Sequence, residues 1–312
     1  MKRVRQPEKN GEPSTSANHD TMDKFEFNVL AVVGVGLLGG SVALGLRERA
    51  CVGQIIGFGR REQSLATARE LGVIDRYTLD LDEAVRDADL VVVAAPARAA
   101  CDIIRRMGPM VKPDAVVTDV VSTKTDVVES AAESWPVPVR FVGSHPIAGS
   151  HLKGASYSRP DLFEGAVTVV TPDRTTDVAA LETVTAIWQR LGSRVINLTP
   201  TDHDSALAIT SHLPHMVACA MALAVGESEI DPIPLAGRGL ADTTRVAAGD
   251  PEMWRDICLT NRTELIRALG VYDRIMSRLR LSIETCDEIA LEKMFQLARD
   301  MRCKIGETAD GD

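Results

Sequence analysis

Residues 34–41 read GVGLLGGS, directly after the β-branched run Val29–Val33 and before an Ala/Leu-rich stretch that ends near Arg49. The loop fits GxGxxG, in which the first glycine permits a tight turn, the second lets the backbone approach a pyrophosphate, and the third allows close packing of helix on strand. A helix N-terminus adds positive potential for an anion. Strand, loop and helix together predict a dinucleotide-binding βαβ unit rather than a glycine-rich turn without a ligand. The candidate cofactor contacts in the loop are Gly34, Gly36, Leu37, Leu38 and Gly39.

Strand and helix patterns keep alternating as far as Leu198, which predicts an α/β fold with a Rossmann-type, doubly wound parallel sheet. Further strands are expected at Gln54–Phe58, Asp89–Ala95, Ala115–Asp119, Val139–Val142, Ala166–Thr171 and Arg194–Leu198. Helices are expected at Ser64–Leu71, Arg98–Met107, Thr125–Ser134 and Val178–Leu191.

After Pro200 only helical periodicity remains, which predicts an all-helical second domain. The expected helices are His203–Val225, Pro251–Leu269, Tyr272–Glu288 and Ile289–Lys304. Their Ala, Leu and Met faces exceed what one small core needs, so we expect a helical homodimer interface. The predicted division is a disordered tail over residues 1–25, a dinucleotide-binding domain over 26–199 and a helical dimerisation and substrate domain over 200–312.

The composition limits the partners. A chain of 312 residues with 45% hydrophobic content can bury a sizeable core, and its net charge of −9 disfavours nucleic acid and anionic membranes. The six cysteines are far apart and form no CxxC motif, which indicates reduced and mostly buried thiols. No apolar run is expected to reach the roughly 18 residues of a membrane helix, so the predicted location is the cytoplasm.

The end of the second strand bears on the choice of cofactor. A NAD-specific site places an acid there for the ribose 2′-hydroxyl, but this chain has Gly59 followed by Arg60 and Arg61. The glycine leaves room for a 2′-phosphate, and the two guanidinium groups can bind it. NADP is therefore favoured, and NAD stays open. The alternative is that both arginines are solvated turn charges. Pro96, just after the strand Asp89–Ala95, is a further candidate cofactor contact.

Residues 142–151 read VGSHPIAGSH and place His145 at the end of an apolar strand. Ligands of doubly wound sheets bind outside the carboxyl ends of the strands, so His145 is a candidate catalytic group rather than a histidine fixed by a backbone carbonyl. Ser122 follows the preceding strand and would face the same crevice. Its hydroxyl either binds a ligand or caps the helix that follows.

In the helical region, residues 211–215 (SHLPH) open an apolar helix, and Arg245 stands among small residues on an acidic protein. Arg245 is a candidate clamp for a carboxylate, and an ion pair with Asp242 is the alternative. The histidines lack a carboxylate motif such as HExxH, so no metal site is predicted.

Five motifs, taken in order, resemble the prephenate/arogenate dehydrogenase family of tyrosine biosynthesis. They are GVGLLGGS, DVVSTK, GSHPIAGSHLKG, DHDSALAITSHLPH and ADTTRVAAGDPEMWRD. The resemblance runs from about Asn28 to at least Ile257. It implies oxidative decarboxylation of prephenate to 4-hydroxyphenylpyruvate, with hydride transfer to NAD(P). It further implies that His145 hydrogen-bonds the ring 4-hydroxyl, that Ser122 assists it beside the nicotinamide, and that His215 and Arg245 contact substrate carboxylates.

The same resemblance places Ser150 and His151 in the substrate pocket. Some relatives carry an acid at the position of His151 that could meet a substrate ammonium. Arogenate has an amine where prephenate has a keto group, so the missing acid favours prephenate, with arogenate dehydrogenase as the alternative.

Two other classes stay open. β-Hydroxyacid-type dehydrogenases also join a Rossmann domain to a helical one, but they use a catalytic lysine in a KxxxN pattern, and neither Lys293 nor Lys304 starts one. A non-enzymatic NADP-binding sensor would bind the cofactor without turnover.

Overall fold

The structure, a computed structural model, describes residues 27–149 and 152–309. The predicted tail over residues 1–25 lies outside these ranges, as do Ser150 and His151. Eight strands form one sheet in the order β3-β2-β1-β4-β5-β6-β7-β8. The strands are β1 (Phe27–Val33), β2 (Val52–Phe58), β3 (Arg76–Thr78), β4 (Leu90–Val93), β5 (Val116–Asp119), β6 (Phe141–Pro146), β7 (Val167–Thr171) and β8 (Arg194–Asn197).

Six helices cover both faces of this sheet, because its central strands are apolar on both sides. On β1, Leu30 and Val32 pack into one core cluster, whereas Ala31 and Val33 pack into the other. The helices are α1 (Leu37–Glu48), α2 (Glu62–Glu70), α3 (Leu81–Val85), α4 (Ala97–Met107), α5 (Thr125–Ala132) and α6 (Val178–Arg190). The predicted α/β, Rossmann-type class is confirmed.

One strand departs from the parallel prediction: β7 runs antiparallel to β6, with His145 opposite Val169. In the described residues of the connection between them, one 3₁₀ turn, Ala155–Tyr157, is present and no crossover helix. Parallel neighbours are usually joined by a crossover helix, whereas this irregular connection over residues 147–166 returns the chain in the opposite direction. The short elements β3 and α3 were not predicted from the sequence.

The region after Asn197 is helical, as predicted. Its helices are α7 (Pro200–Leu207), α8 (Leu213–Gly226), α9 (Arg238–Thr244), α10 (Pro251–Thr260), α11 (Arg262–Glu284) and α12 (Glu288–Ala309). The sequence did not predict α9, and the break expected between Leu269 and Tyr272 is absent because α11 runs through Gly270.

A π-helical segment, Ala208–His212, joins α7 to α8 into one continuous helix over residues 200–226. Pro214 lacks an N–H, and in a regular α-helix its ring would clash with the carbonyl group four residues earlier. The wider π-helical turn just before Pro214 relieves this clash. His212 and His215 therefore lie at the start of the apolar helix α8, as predicted, but within a longer helix that already begins at Pro200.

By length and composition alone, the helix over residues 200–226 could cross a membrane. The expectation that no apolar segment reaches the length of a membrane helix is therefore wrong. The polar residues His203, Asp204 and His212 are buried in this helix. His203 and Asp204 bind groups of the sheet domain, which assigns this side of the helix to the domain interface.

All six cysteines are free in the structure. Only Cys51 and Cys101 are buried, whereas Cys286 and Cys303 are exposed, so the expectation that most are buried is wrong.

Candidate active site

A cavity of about 440 Å³ opens beside the glycine loop at the carboxyl ends of β1, β2 and β4. Gly34 has φ +103°, and a Cβ there would lie 2.5 Å from the carbonyl oxygen of Ala94, so only glycine fits. At Gly36 a Cβ would meet no atom within 4 Å, which leaves space in front of α1. No side chain of the described chain caps that helix, so its first amides are available to an anion. These features fit the pyrophosphate of a dinucleotide.

The predicted cofactor residues divide into two groups. Gly34, Gly36, Arg60, Arg61 and Pro96 line the cavity. Gly39 lies behind the loop, where a Cβ would meet the Gly34 carbonyl oxygen at 2.4 Å, and Leu37 and Leu38 pack against the core. The last two can reach a cofactor only through their backbone amides. Ser64 and Thr67 line the same cavity beside the arginines and were not predicted from the sequence.

His145 lies in β6 and is 8% exposed. Its Nδ1 atom is 2.8 Å from Nε2 of His203, which α7 supplies from the helical domain. Nδ1 of His203 is in turn 2.8 Å from Oδ1 of Asp204. The candidate catalytic imidazole is therefore connected to a carboxylate through a second imidazole.

Asp204 also accepts hydrogen bonds from the backbone amides that start α5. The amide of Lys124 donates to Oδ1 and the amide of Thr125 donates to Oδ2, both at 2.8 Å. No side chain of its own segment caps α5, so the capping role considered for Ser122 belongs to Asp204. Ser122 is half-buried, which leaves its hydroxyl as a candidate ligand contact.

A buried ion pair lies beneath His145. The Lys124 ammonium binds the Asp119 carboxylate, both side chains are fully buried, and Lys124 also donates to the Ser144 carbonyl oxygen at 2.8 Å. The Ser144 amide donates to Asp119 at 3.0 Å. Separating the two partners of such a pair would leave an uncompensated buried charge. This network therefore fixes the position of β6 next to β5.

The surroundings keep His145 neutral. Burial, then electrostatic interactions with His203, Lys124 and His212, hold the pKa of His145 well below its usual value of 6.5. Burial likewise lowers the pKa of His212 to about 4. For Asp204, burial raises the pKa, but the hydrogen bonds from His203 and from the Thr125 amide outweigh it and leave the pKa below its usual value.

His215 extends the histidine cluster toward the helical domain. Its ring stacks on Trp254 at 3.4 Å with 7° between the planes, and its buried Nδ1 has no hydrogen-bond partner within residues 27–149 and 152–309. A Cβ at Gly249 would lie 2.4 Å from Nε1 of Trp254, so glycine lets this loop approach the stacked pair. All four histidines in the described ranges belong to this cluster.

Arg245 begins a 3₁₀ turn, Arg245–Ala248, that packs on α8, the helix of His215. Its side chain is exposed, and in the described part of the chain it forms no ion pair with Asp242 or another carboxylate. The ion-pair alternative is therefore not observed, and the guanidinium group can bind an external anion.

The segment after β6 connects the two halves of the site. Gly154, Ala155 and Ser156 line the cofactor cavity, and the Lys153 ammonium binds Asp250 at the start of α10. The predicted substrate residues Ser150 and His151 belong to this segment but lie outside the described residues.

Several residues of the site were missed at the sequence level: His203, Asp204, Lys124, Asp119 and Trp254. A usable signal was the polar run DHD over residues 202–204, within a helix that is otherwise largely apolar. Buried charged residues are rare without partners, so such a run indicates a polar network across a domain interface.

A dinucleotide-binding crevice with a buried, neutral histidine at the end of another strand of the same sheet is typical of a nicotinamide-dependent oxidoreductase. Residues 42–197 match the family described as prephenate dehydrogenase, nucleotide-binding domain. Residues 199–297 match the family described as prephenate dehydrogenase, dimerization domain. The chain belongs to the prephenate dehydrogenase family, so the resemblance found in the sequence is confirmed.

Individual relatives agree with this assignment. The chain is 31% identical to the prephenate dehydrogenase of Bacillus subtilis, over 88% of this chain and 75% of that protein. Prephenate dehydrogenase from A. aeolicus, solved in complex with hydroxyphenyl propionate and NAD+, matches with TM-score 0.82 and 34% identity, covering 89% of this chain and 98% of that one. Arogenate dehydrogenase of Synechocystis matches with TM-score 0.77 and 32% identity, covering 89% and 99%.

Proposed function

We propose that the protein oxidises prephenate to 4-hydroxyphenylpyruvate and CO₂, with hydride transfer to a nicotinamide cofactor, in tyrosine biosynthesis. The observation that carries the proposal is the buried, neutral imidazole of His145 near the carboxyl end of β6, in the sheet whose strands β1, β2 and β4 border the cofactor cavity, with His215 and Arg245 on the helical side. The bound nicotinamide supplies the hydride acceptor.

The residues present suit each part of this reaction. As the C4–H bond breaks, Nε2 of His145 accepts the proton of the C4 hydroxyl and a carbonyl forms at C4. The C1–CO₂ bond then breaks, its electrons make the ring aromatic, and the proton returns from His145 to the phenolic oxygen. We assign Ser122 to the same hydroxyl, Arg245 and His215 to the substrate carboxylates, and Ser150 and His151 to the pocket wall.

The test is the absorbance of reduced nicotinamide with the purified protein, using prephenate and arogenate, each with NAD and NADP. Turnover of prephenate above arogenate supports the proposal. Preference for arogenate would make the chain an arogenate dehydrogenase, a name carried by a relative of nearly equal similarity. Cofactor binding without turnover of either compound would favour the sensor alternative.

We also propose that NADP is the preferred cofactor, although the A. aeolicus relative was solved with NAD+. Arg60 and Arg61 are exposed at the cavity rim and pair with no carboxylate in the described part of the chain. The hydroxyls of Ser64 and Thr67 add donors for a 2′-phosphate.

Replacing Gly59 by Asp together with Arg60 by Ala should reverse the cofactor preference, since the acid binds a 2′-hydroxyl and repels a 2′-phosphate. The new side chain fits, because a Cβ at Gly59 makes an ordinary 3.4 Å contact with Leu65. The measurement is kcat/KM for both cofactors, with Arg69→Ala, in the helix α2 that follows this loop, as the control. A wild-type enzyme that already favours NAD would contradict this proposal.

We propose that the helical region forms the dimer interface. The proposed domains remain residues 26–199, which bind the dinucleotide, and residues 200–312, which form the helical domain. Helices α11 and α12 expose large apolar side chains, among them Ile275, Ile289 and Phe295, the last at 63%. Large exposed apolar side chains in this number are costly in water unless a partner covers them. The matching family is described as a dimerization domain. We propose that this dimer acts in the cytoplasm, without nucleic acid or membrane.

Light scattering at micromolar concentration should therefore give about twice the 33.7 kDa mass of one chain. Phe295→Asp should shift the population toward the single-chain mass because it places a charge in the interface. Leu71→Asp, at an exposed apolar residue of the sheet domain, is the matched control and should leave the mass unchanged. A single-chain mass for the wild type would refute the dimer.

A further inference from the structure

Three side chains form a continuous hydrogen-bonded line across the domain interface. His145 Nδ1 and His203 Nε2 are 2.8 Å apart, and His203 Nδ1 and Asp204 Oδ1 are 2.8 Å apart. His203 is fully buried and Asp204 is 1% exposed, so neither side chain is arranged by solvent. The rings of His145 and His203 meet edge to face, with centroids 5.1 Å apart.

The donors around Asp204 determine where the protons lie in this line. The amides of Lys124 and Thr125 donate to its two oxygens from the positive end of α5, which stabilises the ionised carboxylate. An ionised carboxylate only accepts, so His203 must donate from Nδ1. Neutral His203 then accepts at Nε2, and His145 must donate from Nδ1. This leaves Nε2 of His145 unprotonated, with the lone pair that a base requires.

We propose that His203 and Asp204 are positioning residues that hold His145 as the Nδ1–H tautomer and share its positive charge while it carries the substrate hydroxyl proton. The inference rests on the proposed function, in which His145 is that proton acceptor. When Nε2 of His145 gains the proton, its Nδ1 proton can move to Nε2 of His203. The positive charge then lies beside the Asp204 carboxylate, and the reverse transfer returns the proton as the ring becomes aromatic.

The other charged groups around the line make this sharing useful. Lys124 lies on the sheet side of both imidazoles, and its charge opposes protonation of each. Asp119 is committed to the ion pair with Lys124, and His212 adds a further group whose positive charge would repel His145. Asp204 is therefore the carboxylate that is hydrogen-bonded to His203, and it acts on His145 only through His203.

The tautomer can be measured without any substrate. Histidine labelled with ¹⁵N in the full-length protein should show, at neutral pH, a protonated Nδ1 and an unprotonated Nε2 for His145, assigned by loss of its signals in His145→Asn. His203→Leu removes the acceptor at similar volume and should abolish this preference. A proton on Nε2 of wild-type His145 would overturn the inference even if the enzyme oxidises prephenate.

Kinetics provide the second readout. His203→Leu should lower kcat roughly a hundredfold while KM for prephenate and cofactor stays within about twofold, because no ligand contact is lost. His203→Gln, whose side-chain oxygen can still accept from Nδ1, should recover part of the loss. Thr260→Val removes a different buried hydrogen bond between the two domains, Thr123 to Thr260, and should remain near wild type.

A kcat for His203→Leu within threefold of wild type, or an equal loss in Thr260→Val, would show that the line is only structural. If the wild-type protein turns over neither prephenate nor arogenate, the proposed function fails, and the ¹⁵N measurement still decides the tautomer.

Discussion

His145→Asn is expected to fold, bind the cofactor and lose about 10²–10⁴-fold in kcat, the scale of a general base. Asparagine is the appropriate replacement because its side-chain amide can still donate to Nε2 of His203. His203 therefore keeps its hydrogen bond, whereas the lone pair of His145 Nε2 is lost. The measurements are single-turnover reduction of the cofactor and a separate titration of cofactor affinity.

The pH dependence of the wild-type enzyme provides a second check on the same group. His145 acts as a base only when it is neutral, and burial holds its pKa well below 6.5. Activity should therefore persist from neutral pH to below 6.5 and fall only as the pH approaches that lowered pKa. A fall centred at or above 6.5, or turnover of His145→Asn within tenfold of wild type, would assign the proton transfer to another group.

The sheet domain could be predicted from sequence because its information is local. The run from Val29 to Val33, the glycine loop and the helix after it each carry a periodic or steric pattern that neighbouring residues complete. Even so, β7 was assigned the wrong direction, because strand direction depends on what the connection packs against, and no local pattern encodes that.

The hydrogen-bonded line behind His145 could not be predicted in this way. His145 and His203 are 58 residues apart, and Lys124 and Asp204 are 80 apart, so their contacts exist only once the two domains pack. Gly270 illustrates the opposite error: a glycine within a helix costs only about 1 kcal/mol, so α11 continues where a break was expected.

Arg245→Ala is expected to raise KM for prephenate about tenfold or more, with a smaller change in kcat, because a charge-assisted bond to a substrate carboxylate is lost. Arg245→Lys keeps the charge but not the two-pronged geometry, so its KM should lie between those of wild type and Arg245→Ala. KM for the cofactor should not change, because the Arg245 turn packs on α8 and is not part of the cavity lining at the glycine loop.

The control for Arg245 is Arg238→Ala, which removes an exposed cation from the neighbouring helix α9. If the two substitutions raise KM equally, the effect is a general loss of positive field around an acidic protein, which high salt would screen. A specific clamp predicts instead that Arg238→Ala stays within about twofold of wild type while the Arg245→Ala defect persists in salt, because a direct hydrogen-bonded ion pair with the bound substrate is screened less than a long-range field. An unchanged KM for prephenate in Arg245→Ala would leave His215, stacked on Trp254, as the group that binds the substrate carboxylate.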